Sequence, residues 1–176
     1  PSRTKDIDDV DISTGSVGLG VAMTSFISLI QDYILRKKFA KDIPQGRMIA
    51  LVGDAELDEG NVYECLQEGW KHDLRNVWWI IDYNRQSLDG VVHEGLAERL
   101  SSVFEAFGWN LEVLKYGKLQ KEAFQERGGN ALKKWIDDCP NQLYSALVYE
   151  GGAVFKKRVL DDIGDQSVVS NLIDKR

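Results

Sequence analysis

Two short apolar runs constrain this chain more than any other feature: RMIALVG (47–53) and NVWWIID (76–82). Each has the length of a strand and each gives way to a polar tip, Asp54 after the first and Asp82-Tyr83-Asn84 at the second. Between them, from about Asp58, Val62, Leu66 and Trp70 recur at helical spacing. Strand, helix and strand at this separation make a βαβ unit, whose two strands run parallel. Continuous apolar character further predicts strands buried on both sides.

The flanking segments continue the alternation. After the Gly-rich STGSVGLG (13–20), Ala22, Phe26, Ile30 and Ile34 share one helix face, with Met23 and Ile27 beside them, until KDIPQG breaks the pattern. Leu96, Leu100, Phe104 and Phe107 mark another helix, closed by Gly108. NLEVLKY (110–116) and LYSALVY (143–149) are third and fourth strand candidates, and QKEAFQERGGNALKKWIDD is helical about a Gly-Gly interruption. The expected fold class is α/β: a mostly parallel, doubly wound sheet with helices on both faces. All 176 residues are read as one domain with a polar tail at 161–176, and both ends as cuts within a longer polypeptide.

Composition excludes several functions. A net charge of −6 argues against a nucleic-acid partner, and the runs Arg36-Lys37-Lys38 and Lys156-Lys157-Arg158 are read as solvated surface. No apolar run reaches the ~18 residues of a membrane span, and the polar, acidic first residues are not a signal peptide. Cys65 and Cys139 fit neither a metal spacing nor a disulfide framework, which points to a reducing, cytoplasmic setting. His72 and His93 are read as surface residues, Trp78 and Trp79 as lying on opposite faces of their strand, and Trp109 and Trp135 as packing or partner contacts.

Ligands of open parallel sheets sit beyond the carboxyl ends of the strands, and adjacent strands lie about 4.8 Å apart. If the two strands are neighbours, Asp54 and Asn84 can each offer a side-chain oxygen to one small cation, with a backbone carbonyl near Gln86 as a third donor. Such an all-oxygen set suits Mg²⁺, which takes its remaining ligands from water and substrate phosphates. A helix amino end near Asp58 favours a phosphate, and STGSVGLG allows close approach of a ligand to backbone. A Gly-Asp at a strand end serves equally as a turn and helix cap. The acidic run is no EF-hand, because Cys65 stands where the closing Glu belongs.

GDAELDEG, a helix, the strand VWWIID and then NRQSLDG resemble the thiamine diphosphate motif, in which a Gly-Asp-Gly precedes an Asn-containing loop by about thirty residues. Thirty positions separate Asp54 and Asn84. The chain is similar to the transketolase-like group of thiamine enzymes. GDAELDE, NRQSLDGVV, FEAFGWNLEVLKYG and YEGGAVFKKRVL resemble most the homodimeric pyruvate dehydrogenase decarboxylating component, a likeness running from about Ile12 to Leu160. The resemblance implies Mg²⁺ held by Asp54, Asn84 and the Gln86 carbonyl. It implies thiamine diphosphate lined by Gly53, Ala55 and Glu56, approached by Gly15, Val17 and Gly18, and contacted by the Leu88 backbone.

Two positions depart from the pattern: Ala55 replaces the usual third Gly, and Asp82 stands where relatives often carry Asn. The implied reaction is oxidative decarboxylation of pyruvate or a related 2-oxo acid, with acyl transfer to a lipoyl acyltransferase component. The activating Glu of such enzymes lies on a pyrimidine-binding domain, usually of a second subunit, and no catalytic residue is assigned here. Isolated, the chain is expected to be inactive. Three alternatives stay open: a transketolase moving two-carbon units between sugar phosphates, a non-catalytic α/β module, and an acidic tip that binds a divalent ion only to stabilise the fold.

Overall fold

The computed structural model describes residues 10–40, 43–87 and 90–164. It is an α/β structure whose chain divides into two compact units, residues 1–90 with 95–111, and residues 91–94 with 112–176.

The first unit is built on the anticipated βαβ. Strand β1 (Met48–Gly53) lies parallel to β2 (Val77–Asp82), in register from Met48↔Val77 to Gly53↔Asp82. Helix α1 (Leu19–Lys37) precedes β1, and α2 (Gly60–Lys71) joins the strands after a 3-10 helix over Asp54–Asp58. The helix expected from about Asp58 therefore begins two residues later, because the residues after β1 first form this tighter turn. Beyond β2 come a two-stranded ribbon, β3 (Gln86–Ser87) with β4 (Gly90–Val91), and helix α3 (Leu96–Ala106). Gly108, at φ 72, donates its N–H to the Glu105 carbonyl and ends that helix as expected.

Alternation along the strands decides the core. Ala50 and Val52 of β1 pack with Val21 of α1, Leu57, Val62 and Leu66 around α2, and Phe104 of α3, with Trp79, Ile81 and Trp109 against them. Trp79 lies 4.4 Å from Trp109 between ring centroids, and its Nε1–H donates to Thr24 Oγ1 at 3.1 Å. The opposite face carries Ile49, Leu51, Trp78 and Ile80, all exposed, Leu51 at 79%. Trp78 and Trp79 do point to opposite faces, but the burial on both sides expected from the continuous apolar runs is not reached among the described residues of this unit, which leave Ile49, Leu51, Trp78 and Ile80 exposed. Helix α1 shows the same displacement. It buries Val21, Ser25 and Ser28 and leaves Phe26 and Ile30 of the expected face exposed. Small residues let that side approach the sheet closely, which turns the bulky stripe outward.

The second unit is helical: α4 (Lys118–Phe124), α5 (Gly129–Asp138), α6 (Asn141–Glu150) and α7 (Gly152–Ile163). The Gly-Gly interruption falls between α4 and α5 as expected. A Cβ on Gly129 would stand 2.4 Å from the Ala123 carbonyl oxygen, so the two helices meet there through bare backbone. LYSALVY is helical, not a strand. Leu143, Tyr144, Ser145 and Leu147 are its less exposed residues, and Val148 and Tyr149 are exposed; a short apolar run does not by itself distinguish the two structures. NLEVLKY forms no strand either: among the described residues β1 and β2 pair as strands only with each other, and Val113 and Leu114 are exposed.

Asp137 pins this unit. Its carboxylate takes the Lys115 ammonium at 2.8 Å, the Lys133 ammonium at 2.7 Å and the Tyr116 hydroxyl. Partial burial raises its pKa, but those three donors outweigh it and hold the carboxyl far below the ordinary value of 3.8. A depressed folded-state pKa contributes stability above the unfolded value, lost as pH falls through the folded one. Acid titration of the second unit's helicity should therefore show a loss setting in below pH 3.8. Asp137→Asn should lower the melting temperature by a few degrees at pH 7 and flatten that acid limb, whereas an unchanged limb would place the pin elsewhere.

Candidate functional site

Register delivers the site. Because Gly53 stands opposite Asp82, β1 and β2 stop side by side, and Asp54 leaves the sheet next to the Tyr83–Asn84 turn. The Arg85 N–H donates to Asp54 Oδ2 at 2.8 Å and the Ala55 N–H to Oδ1 at 3.1 Å. Arg85 adopts φ 66, the left-handed conformation that turns its amide back toward β1. In the same turn Asn84 Oδ1 accepts the Gln86 N–H at 2.9 Å. Asp54 and the Asn84–Gln86 loop are thus fastened together by a direct hydrogen bond.

Asp54 is 3% exposed. Burial pushes its pKa up, the Arg85 and Ala55 amides pull it back, and the neighbouring Asp82 carboxylate pushes it up further. Burial and then the Asp54 charge also raise the pKa of Tyr83. Among the described residues no Lys, Arg or His pairs with the Asp54 carboxylate. Each of its oxygens accepts one backbone N–H and keeps lone-pair capacity. A buried carboxylate beside a second carboxylate, without a counter-charge, is electrostatically suited to a hard cation. Among the described residues no three His, Cys, Asp or Glu side chains converge as a metal cage; the candidate set here is one carboxylate, one carboxamide and a carbonyl. The residues therefore fit Mg²⁺ carried by a diphosphate.

The Gly-rich segment is attached to the same turn by two contacts that no local pattern reveals. The Gly18 N–H donates to Glu56 Oε1 at 2.9 Å, and Asn61 Nδ2 donates to the Val17 carbonyl at 3.0 Å. Gly18, at φ 74, starts α1, and a Cβ there would fall 2.0 Å from Asn61 Oδ1. Asn61 Oδ1 is buried and has no hydrogen-bond partner among the described residues. A Cβ on Gly15 or Gly53 would meet nothing within 4 Å, so the chain's own packing leaves those glycines open to a ligand.

Of the residues expected at the site, Asp54, Ala55, Asn84 and Gln86 are joined by the hydrogen bonds above. Gly18, Val17 and Glu56 are joined through the Gly-rich segment, and Gly15 reaches it through the Val17 N–H, which donates to the Gly15 carbonyl at 2.9 Å. Leu88 lies outside the described residues. Ala55 is accommodated, since its φ is not positive and no left-handed glycine is demanded there. His93 is exposed, and so is His72, which pairs with Glu68 at 3.3 Å. Asn61 and Arg85 escaped sequence reasoning; the φ of 66 at Arg85 has no residue signature, and Asn61 acts across 44 positions.

The fold and site define a parallel α/β domain in which a buried carboxylate and a Gly-rich segment meet at the strand ends. Residues 2–127 match the family described as transketolase, thiamine diphosphate binding domain, and the chain belongs to that family. It is 30% identical over 112 residues to a transketolase of Staphylococcus aureus (strain MW2), covering 62% of this chain and 17% of that protein. A Staphylococcus epidermidis transketolase is 32% identical over 113 residues, with the same coverage. The pyruvate dehydrogenase E1 component of Corynebacterium glutamicum is 24% identical over 168 residues, covering 94% of this chain and 18% of that protein. The chain thus spans about a sixth of the length of the curated relatives it matches. Among the described residues no helix is long and apolar enough to cross a membrane.

Gly18→Ala should separate the Gly-rich segment from the Asp54 turn, through both the positive φ and the Asn61 clash. A loss of about 1–3 kcal/mol is expected in urea unfolding of the first unit. Wild-type stability would show that the contact yields freely.

Proposed function

We propose that the chain is the magnesium- and diphosphate-holding part of a pyruvate dehydrogenase decarboxylating component. The observation that carries this reading is coverage: the likeness to the Corynebacterium glutamicum protein takes in 94% of the chain, and so most of the second unit as well as the first. Transketolase is the second reading, favoured by the higher identity, 30–32%, over the shorter match. An inert module loses support at Ala55, where the backbone accepts the methyl without strain.

In this reading Asp54 and Asn84 hold Mg²⁺ through side-chain oxygens and Gln86 through its carbonyl. Gly53, Ala55 and Glu56, with Gly15, Val17 and Gly18, flank thiamine diphosphate, and Leu88 contacts it through its backbone. Thiamine diphosphate, when bound, supplies the electron sink for loss of carbon dioxide from a 2-oxo acid. The chain's own contribution is charge and position. The Asp54 carboxylate offsets the cation, the Arg85 and Ala55 amides keep that carboxylate oriented, and the Glu56–Gly18 bond fixes the Gly-rich backbone. No residue of the chain is assigned to proton transfer. That role falls to a pyrimidine-binding domain of a second subunit in a homodimer, and the acyl group passes to a lipoyl acyltransferase component. Cys65 and Cys139, both buried and outside any disulfide, agree with a cytoplasmic setting.

Calorimetric titration of the chain with thiamine diphosphate should give weak binding that requires Mg²⁺ and vanishes in Asp54→Ala, with no turnover by the chain alone. Binding that survives Asp54→Ala would overturn the ligand assignment. The intact parent protein should turn over pyruvate with an artificial electron acceptor. Turnover only of a ketose phosphate with an aldose phosphate would select transketolase.

A further inference from the structure

Two hydrogen bonds hold the Gly-rich segment to the Asp54 turn, and one of them leaves a buried acceptor unpaired. Asn61, in the first turn of α2, donates Nδ2 to the Val17 carbonyl at 3.0 Å. A carbonyl only accepts, so the carboxamide nitrogen faces it and the oxygen turns the other way. That oxygen rests where Gly18 lacks a Cβ, buried and with no hydrogen-bond partner among the described residues. An unpaired buried acceptor costs stability, and Asn has no helix-propensity advantage over Ala. Folding stability alone therefore gives no account of Asn at this position.

Glu56 supplies the other hydrogen bond, its Oε1 accepting the Gly18 N–H at 2.9 Å. The Val17 carbonyl and the Gly18 N–H belong to one planar peptide unit, so that unit is gripped at both its polar ends. Both gripping residues stand on one continuous stretch. Asp54–Asp58 is a 3-10 helix, the Glu59 N–H donates to the Glu56 carbonyl at 3.2 Å, and α2 follows from Gly60. A single hydrogen bond would leave the peptide a pivot, whereas two at opposite ends fix its orientation. Gly18 is buried, but Gly15, Ser16 and Val17 before it are exposed. That exposed arm takes its direction from the gripped peptide. All of these residues lie in the first compact unit.

We propose that Asn61 is a positioning residue for a ligand with two ends: by turning the Glu56 pivot into a lock, it holds the Gly15–Val17 arm at a fixed span from the Asp54 tip. A ligand that reaches only the tip has no need of the lock, and one that reaches both tip and arm does. Order in the arm is then established on folding instead of on binding, which is how preorganisation raises affinity. The ligand part rests on the cofactor reading above, in which the tip holds the diphosphate and the arm flanks the rest of the cofactor; the locking part does not.

The test uses the full chain as wild type, Asn61→Ala and Asn61→Asp. Both replacements suit the first turn of a helix, Ala by propensity and Asp by the dipole, so both should fold. Asn61→Asp keeps the shape and loses the donor. Without ligand, hydrogen exchange at the Val17 and Gly18 amides should be up to about tenfold faster in both variants, the worth of one hydrogen bond. Calorimetry then compares two probes, Mg²⁺ with thiamine diphosphate and Mg²⁺ with inorganic diphosphate. Asn61→Ala should weaken the first by a similar factor and leave the second at its wild-type affinity, because inorganic diphosphate reaches only the tip. Equal loss for both probes, or loss for neither, overturns the proposal, and so does wild-type exchange at both amides whatever the affinities. Should wild type bind no thiamine diphosphate, the cofactor reading fails, and exchange at the two amides alone decides the lock.

Discussion

Parallel pairing of β1 and β2 in an unshifted register is the constraint on which the rest of this structure depends. Because Gly53 faces Asp82, the chain leaves both strands at the same level, and one backbone amide, that of Arg85, reaches the Asp54 carboxylate. A slip of one residue would turn every β2 side chain to the other face. Trp79 and Ile81 would leave the core, and Trp78 and Ile80 would enter it. The aromatic cluster of Trp79, Phe104 and Trp109 holds the register, and the register holds the site.

The first unit keeps a buried carboxylate, without a counter-charge among the described residues, at the tip of β1. Around it the chain uses backbone donors in place of basic side chains: Arg85 and Ala55 toward Asp54, and Gly18 toward Glu56. Neutral donors orient a carboxylate without cancelling its charge, which leaves that charge available to a cation. A lysine in their place would stabilise the cation-free protein and compete with the metal. The exposed apolar face of β1 and β2 and the outward stripe of α1 give the same unit surfaces that its own described residues do not cover.

Periodicity made the βαβ unit, α1, α3 and the break between α4 and α5 legible, because apolar spacing and glycines report directly on burial and on chain reversal. Asp54, Asn84 and Gln86 were legible as strand-tip residues for the same reason. LYSALVY misled because an apolar heptapeptide serves a strand and a buried helix alike, and only Pro140 and the Asn141 N–H donated to Glu94 decide it. NLEVLKY has no neighbouring strand among the described residues to accept its hydrogen bonds. The Glu56–Gly18, Asn61–Val17 and Asn141–Val92 bonds join residues 38, 44 and 49 positions apart, and nothing local encodes such pairs.

Paramagnetic broadening by Mn²⁺, substituted for Mg²⁺ in the presence of thiamine diphosphate, reads the cation's position directly. Amide resonances of residues 53–55 and 84–86 should broaden together and first, at equal metal. Broadening of one strand tip without the other, or centred in the second unit, would contradict a shared ion between Asp54 and Asn84.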